Sequence, residues 1–448
     1  VFLNDEKRGN YMEIDYSKLP LRYIMCIDVK SFFASVEAVR RGIDPLEAWI
    51  AVVSDKRRPG AVVLASSPNV KKYCGIKTGN RHFEIKDKRI MIVNPSMSLY
   101  LDFNRKIHEI FRSFAADEDI NVYSIDESFL DVTSTAHLFG SPYEIAEMIK
   151  DRIRKELGLA VTIGIGDNPL LAKLALDNES KKNPTQIAYW SYEDIPHTVW
   201  KIPSLTDFWG ISRGWKKRFN ALGIYTVKQL AHFDKDVLST KFGIMGLQQY
   251  YHANGVDYSI INKPAVFKNK GYSKGQILMR DYTEENEIIG ILEEMVEEVA
   301  VRLRNHGMSA KSMGLYCGFS SDETGSHGFG ISKRFKIPVS DTRSLLQYFK
   351  NAFYDNWSGE KVRQFNISLQ DIEEDKGHQI TLFELEDQKN VRIDSCLDDL
   401  RDRFGRTAVF KAHSLNNSST FFERAGYVGG HKSLSEVPGD ELEETKRF

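Results

Sequence analysis

Cysteine is scarce: Cys26, Cys74, Cys317 and Cys396 are the only four in 448 residues. No two form a C-x-x-C pair, which excludes a zinc ribbon or a disulfide framework as the organising element. No stretch approaches the ~20 apolar residues of a membrane span. The first residues are polar and charged rather than signal-like, and no internal repeat or low-complexity tract appears. These absences predict a soluble, cytoplasmic protein with no membrane partner. An excess of either charge is also missing, with 61 Lys+Arg against 62 Asp+Glu and a net charge of -1. As a total, that balance argues against a basic nucleic-acid binder. A hydrophobic fraction of 42% and a charged fraction of 27% exclude disorder as the main state. The length suits two to four domains.

The charge total hides a mosaic. Residues 1–100 hold 17 basic and 11 acidic side chains, residues 101–200 hold 10 and 17, and residues 201–270 hold 11 and 4. The chain's texture changes along the same lines. Up to about residue 195, short apolar strands such as 22–29, 49–54 and 160–166 mix with amphipathic helices over 97–116 and 142–157, an α/β or α+β pattern. Residues 203–255 read as short helices separated by glycine turns. Residues 271–375 read as strand, acidic helix, strand, strand, helix, strand, a β-α-β-β-α-β order. In the acidic helix, Ile288, Leu292, Met295 and Val299 alternate with Glu293, Glu294, Glu297 and Glu298, which predicts a packed face and a solvated outer face. A last short helix is expected near 393–404.

Two segments carry chemistry. Asp28 closes the first apolar strand, and Ser124-Ile125-Asp126-Glu127-Ser128 sets an acidic pair at the tip of a hairpin-like segment, 121–131. Adjacent carboxylates in an apolar setting repel unless a cation or water separates them. Carboxylates at strand ends suit Mg²⁺, which takes hard oxygen ligands. Two such ions can hold the attacking and leaving oxygens of an in-line displacement. Five residues past Asp28, Phe33 follows Phe32. Phe32 reads as a core ring, whereas a ring at Phe33 packed under a nucleotide sugar would clash with a 2′-hydroxyl.

The run Cys26-Ile27-Asp28-Val29-Lys30-Ser31-Phe32-Phe33-Ala34-Ser35-Val36-Glu37, together with Ser124 to Asp131, resembles the Y-family translesion DNA polymerases, and within them the bacterial UmuC/ImpB-like branch of Gram-positive type. The resemblance spans about residues 22–435. It implies an α+β multidomain, right-hand polymerase with a ferredoxin-like palm (22–50 and 95–195), small fingers (51–94), a helical helix-hairpin-helix thumb (196–260), a β-α-β-β-α-β little finger (271–375) and a C-terminal tail (376–448). By motif match, Asp28, Asp126 and Glu127 would be the catalytic carboxylates. They would hold two Mg²⁺ ions with the Val29 carbonyl as a further ligand, and Phe33 would be the steric gate. In the fingers, Ala65 would leave space over the nascent base pair, while Ser66 and Lys72 would meet the triphosphate. Asn69 stands where several relatives carry Tyr. The palm helix ending in Lys181-Lys182 resembles one whose terminal lysine reaches the triphosphate. Counting favours Lys181 and leaves Lys182 open.

The basic stretch Phe208 to Gly223 resembles a helix-hairpin-helix, whose glycine turns present backbone N–H groups to a DNA phosphate. Gly210 belongs to that turn, with Ser212 where a second glycine is usual. Lys216, Lys217 and Arg218 would add nonspecific, salt-sensitive affinity, as would Lys333 and Arg334 on a little-finger strand. Gln379-Ile380-Thr381-Leu382-Phe383 resembles the sliding-clamp-binding peptide of bacterial polymerases, with Gln379, Leu382 and Phe383 as its anchors. The implied activity is low-fidelity, template-directed transfer of dNTPs to a primer 3′-hydroxyl in an SOS-type response, without proofreading. The implied partners are primer-template DNA, dNTP, a bacterial sliding clamp and a recombinase filament or accessory subunit. The rivals are a catalytically inactive clamp adaptor and a nucleotidyl cyclase. For the tail around Phe410, Phe421 and Phe422, a packing appendage and a partner contact both stand.

Overall fold

A computed structural model describes residues 14–263, 271–321, 327–375, 385–428 and 430–433. The chain divides into two compact units, Val1–Pro264 with His431–Phe448, and Ala265–Gly430.

The first unit is built on β1 (Ile24–Val29), the central strand of a five-stranded sheet. Its run Ile-Met-Cys-Ile is fully buried, as expected for a strand covered on both faces. Antiparallel neighbours flank it, β6 (Glu127–Asp131) on one side and β7 (Val161–Gly166) on the other. Strand β5 (Ile120–Val122) pairs with β6, and β8 (Ile187–Trp190) runs parallel to β7. Alternation along β1 assigns its faces. Met25, Ile27 and Val29 pack with helices α1 (Phe32–Arg40), α3 (Met97–Phe111) and α5 (Pro142–Leu157), near the short α4 (Ala136–Phe139). Ile24 and Cys26 meet α6 (Pro169–Ala175) on the other face. There α6 lies almost on the strand. A Cβ at Gly164 would sit 2.1 Å from the Ala172 carbonyl oxygen, and one at Gly166 would sit 2.3 Å from the Ala172 nitrogen. Only glycine admits that approach.

A separate three-stranded sheet joins β2 (Ile50–Val53), β3 (Val63–Ser66) and β4 (Met91–Val93). Ser67 ties the junction from β3 to α2 (Pro68–Cys74) back to the start of β2, where its hydroxyl donates to the Ala48 carbonyl and accepts from the Ile50 N–H. The glycine-punctuated stretch forms α7 (Arg213–Asn220), α8 (Val227–Ala231) and α9 (Lys235–Ala253) around Phe208, Phe219, Val227, Leu230 and Leu238. Gly243, at φ +62°, breaks α9.

In the second unit the expected β-α-β-β-α-β order is present: β9 (Gly271–Tyr282), α10 (Glu285–Asn305), β10 (Met308–Phe319), β11 (Gly328–Val339), α11 (Thr342–Tyr354) and β12 (Val362–Glu374). The sheet is antiparallel throughout, in the order β11-β10-β12-β9. The expected tail helix is longer than its sequence pattern, α12 (Leu385–Phe404).

The solvated outer face expected for α10 is corrected here. Glu293 meets Lys350 and His413, Glu297 meets Arg401 and Lys411, and Glu298 meets Lys274 and Arg406. Glu294 accepts from Ser419 and Thr420. Much of the tail thus lies across the acidic stripe. Helical periodicity records charge on a face but not the distant cations that neutralise it.

Candidate active site

Strand pairing builds the site. Asp28 and Glu127 are cross-strand partners at the ends of β1 and β6, so their side chains share a face. The hairpin before β6 closes when the Tyr123 and Ser124 N–H groups donate to the Glu127 carbonyl, at 3.1 and 2.9 Å. The Val29 N–H donates to the Asp126 carbonyl at 2.9 Å, which fixes Asp126 beside the end of β1, and the Ser124 hydroxyl donates to the Asp126 carboxylate at 2.6 Å. Immediately beyond, Ser31 starts α1 at φ 51° and ψ 42°, a left-handed conformation that is costly for a residue other than glycine.

A cavity of about 660 Å³ opens over this corner. Asp28, Val29, Asp126 and Phe33 line it, and so do Ala65, Lys71 and Lys72 from the small sheet and α2, and Lys181 from the turn after α6. That turn contains an i to i+5 hydrogen bond, from the Lys181 N–H to the Leu176 carbonyl at 3.3 Å. A wide turn of this kind often marks a functional position. Glu127 lies beneath the cavity, 8% exposed.

Charges alternate around the floor. Lys181 stands 3.4 Å from Asp28 and 2.9 Å from Asp177, and Lys173 stands 3.0 Å from Asp177 and 2.7 Å from Glu127. The Cys26 thiol also donates to Glu127, at 3.0 Å. Burial pushes the Asp28 carboxyl up to about 6; Lys181 opposes the shift, and the charges of Asp126 and Glu127 add to it. Burial alone would depress Lys173, but the hydrogen bond to Glu127 and the nearby acidic groups hold it above the usual lysine range. Lys181 is raised in the same way against its burial, by Asp28 and Asp177. Burial lowers Lys71, which donates to the Ser31 hydroxyl at 2.8 Å.

Among the described residues no three His, Cys, Asp or Glu side chains converge as a ready-made metal cluster. Glu127 turns to Lys173, and Asp28 turns to Lys181. The donor chemistry nonetheless fits a hard cation. Three carboxylates stand on neighbouring backbone positions, burial first and the charges of Asp126 and Glu127 second disfavour an ionised Asp28 left without a cation, and lysines balance part of the negative charge.

The structure brings Asp28, Val29, Phe33, Ala65, Lys72, Asp126 and Lys181 to one cavity, with Glu127 behind it. Ser66 is a correction. It is fully buried, its hydroxyl has no hydrogen-bond partner among the described residues, and it does not line the cavity. Successive strand side chains point to opposite faces, so with Ala65 at the cavity Ser66 points away. Phe32 is a core ring as expected, 2% exposed. On α7, Lys217 and Arg218 are exposed, with Arg218 over the Trp215 ring, while Lys216 is half-buried and donates to the Ser204 hydroxyl. Gly210 has φ +92° in the turn before α7. On β11, Arg334 is exposed and Lys333 pairs with Asp355 at 3.0 Å. Gln379, Leu382 and Phe383 lie outside the described residues.

Lys71, Lys173 and Asp177 belong to the site without having been singled out from sequence. The spacing Lys173, Asp177, Lys181 was a readable signal, since residues four apart meet on a helix. Lys71 and Lys72 differ only by which way a short helix faces, which spacing does not decide.

The architecture is that of a Y-family DNA polymerase. A solved Y-family DNA polymerase chimera superposes with a TM-score of 0.63, covering 78% of this chain and 99% of that one at 19% identity, a likeness of fold. The impB/mucB/samB family model matches residues 27–177, and the model of that family's C-terminal domain matches residues 269–382. The putative UV-damage repair protein UvrX of Bacillus subtilis is 44% identical over 94% of this chain and all of its own length. A DNA polymerase IV 2 of the same organism is 33% identical over 92% of this chain and 98% of its own. The chain belongs to the impB/mucB/samB family. Y-family DNA polymerases are generally divalent-metal dependent. No helix among the described residues is long and apolar enough to cross a membrane.

Proposed function

We propose that the chain is a translesion DNA polymerase that extends a primer 3′-hydroxyl with dNTPs on damaged templates in the bacterial cytoplasm. The observation that carries this reading is the pairing of Asp28 with Glu127, and of Asp126 with Val29, at a cavity that Lys71, Lys72 and Lys181 also line. Asp28, Asp126 and Glu127, with the Val29 carbonyl, would hold two Mg²⁺ ions. When bound, these would lower the charge on the reacting phosphate and activate the attacking oxygen. The chain's own residues position the reactants. Lys181 and Lys71 meet the triphosphate from opposite sides, with Lys72 beside Lys71, and balance the charge that gathers during transfer. Ala65 leaves room above the base pair. The Phe33 ring sits at the sugar and excludes a 2′-hydroxyl. Lys217, Arg218 and the turn at Gly210 grip DNA phosphates, with Arg334 and Lys333 on the second unit. Gln379, Leu382 and Phe383 tether the enzyme to a sliding clamp, and a recombinase filament or accessory subunit is a further candidate partner.

The test is primer extension across an abasic site and across undamaged template. Asp126→Ala and Glu127→Ala are each expected to lower the rate by at least ~10²-fold, the scale at which preorganised charge contributes. Full activity in either variant would remove that carboxylate from the reacting centre. Phe33→Ala should raise ribonucleotide incorporation while dNTP incorporation persists.

A further inference from the structure

The Phe33 ring is one side of a stacked pair. Its partner is Tyr100 on α3, with ring centroids 4.3 Å apart and planes 13° apart. Tyr100 is fully buried, so the pair has a fixed side and a cavity side. The Tyr100 hydroxyl does not float in that packing, because it donates to Glu37 on α1 at 2.9 Å. Glu37 is itself fully buried. The Ser96 hydroxyl donates to the same carboxylate oxygen at 2.6 Å, and the Arg41 guanidinium pairs with the other oxygen. Glu37 and Tyr100 on two helices, with Arg41 just after the first and Ser96 just before the second, therefore meet behind one ring that borders the cavity.

A core needs a buried carboxylate only at a cost. Unpaired, it would be strongly unfavourable, and a hydrophobic residue of similar volume would pack at least as well. What the carboxylate supplies and an apolar residue would not is direction. It holds the Tyr100 ring at one depth and one rotation. A stacked neighbour favours a particular offset, so Phe33 inherits that placement. A gate that distinguishes ribose from deoxyribose must reject one oxygen atom, and a displacement of well under its diameter would blur the distinction.

We propose that Glu37, acting through Tyr100, is a positioning residue for sugar discrimination. It sets how far the Phe33 ring reaches into the nucleotide cavity. The inference rests on the reading of Phe33 as the sugar gate.

The experiment measures kcat/KM for a dNTP and for the matching rNTP in single-nucleotide primer extension with the full chain. Tyr100→Phe keeps the stacked ring and removes only its tie to Glu37. It is expected to lower the deoxy-over-ribo ratio about fivefold, the scale of one hydrogen bond, with dNTP kcat/KM within about threefold of the parent. Glu37→Leu should do the same, and Glu37→Gln, which still accepts from Tyr100, should restore most of the ratio. Should Glu37→Leu fail to fold, Tyr100→Phe decides alone. A parent-like ratio in Tyr100→Phe, alongside a collapsed ratio in Phe33→Ala, overturns the positioning role and leaves the gate in place. A parent-like ratio in Phe33→Ala overturns the gate and this inference together.

Discussion

At Asp28 the needs of the fold and of the site diverge. Its carboxyl sits at the end of a buried strand, facing Asp126 and Glu127. Burial pushes it up to about 6 from the ordinary 3.8. A carboxyl whose pKa is higher folded than unfolded binds more protons in the folded state between those values, so stability falls as pH rises through that window. At pH 8 the ionised group is a net cost to the metal-free protein, about 1–3 kcal/mol for a carboxyl raised from 3.8 to about 6. Asp28→Asn should therefore raise the thermal midpoint in EDTA at pH 8 while abolishing primer extension. The gain should vanish near pH 4, where the parent carboxyl is already protonated. Thermal melts of both proteins across pH 4–8 check this, and an unstable Asp28→Asn at pH 8 would show that the Lys181 contact outweighs desolvation. This residue was legible in the sequence through the motif it shares with the Y-family polymerases, because a lone carboxylate ending an apolar strand reads equally as a turn or cap residue. Glu37 and Tyr100 were not, since a buried Glu and Tyr in helical patterns look like ordinary amphipathic positions. Their meeting spans 63 positions of chain.

Between elements, strand order and helix order were readable while docking was not. The β-α-β-β-α-β order of the second unit followed from periodicity and turn residues. The seat of the tail did not, because it depends on ion pairs between segments a hundred residues apart. Arg304 is the centre of that seat. It is largely buried and pairs with Asp398 at 2.7 Å and Asp394 at 3.3 Å, and it donates to the Ser340 carbonyl and the Thr342 hydroxyl. The Thr342 N–H in turn donates to Asp394 at 2.7 Å. Removing one partner of a buried ionic cluster leaves the others uncompensated, at about 3–5 kcal/mol. Arg304→Met should accordingly loosen α12 from the sheet-bearing part of its unit. Limited trypsin digestion should cut at Arg401 or Arg403 much faster than in the parent, while residues 14–263 stay intact. Equal cleavage rates would show that the remaining tail contacts, Arg401 with Glu297 and Arg406 with Glu298, suffice.

For the whole molecule, the near-zero net charge and a polymerase's need for DNA are reconciled by distribution. The acidic surplus of residues 101–200 includes Asp126 and Glu127, and the acidic stripe of α10 is consumed by internal pairs. What remains outward on α7 is cationic, with Lys217 and Arg218 exposed and Lys216 spent partly on Ser204. Each phosphate contact contributes roughly 0.9 to the slope of log affinity against log salt on duplex DNA. Lys217→Ala with Arg218→Ala should thus flatten that slope by about 1.8, whereas Lys216→Ala should flatten it by well under the ~0.9 of one full contact. A grip this local weakens steeply with salt, and a tether supplies effective concentration that salt does not remove. Adding a bacterial sliding clamp should then rescue primer extension at 200 mM salt in the parent protein. Replacement of Gln379, Leu382 and Phe383 by alanine should abolish the rescue and leave low-salt activity unchanged. Rescue that survives the triple substitution would place the clamp contact elsewhere on the chain, and an unchanged slope in the Lys217 and Arg218 variants would move the DNA grip off α7.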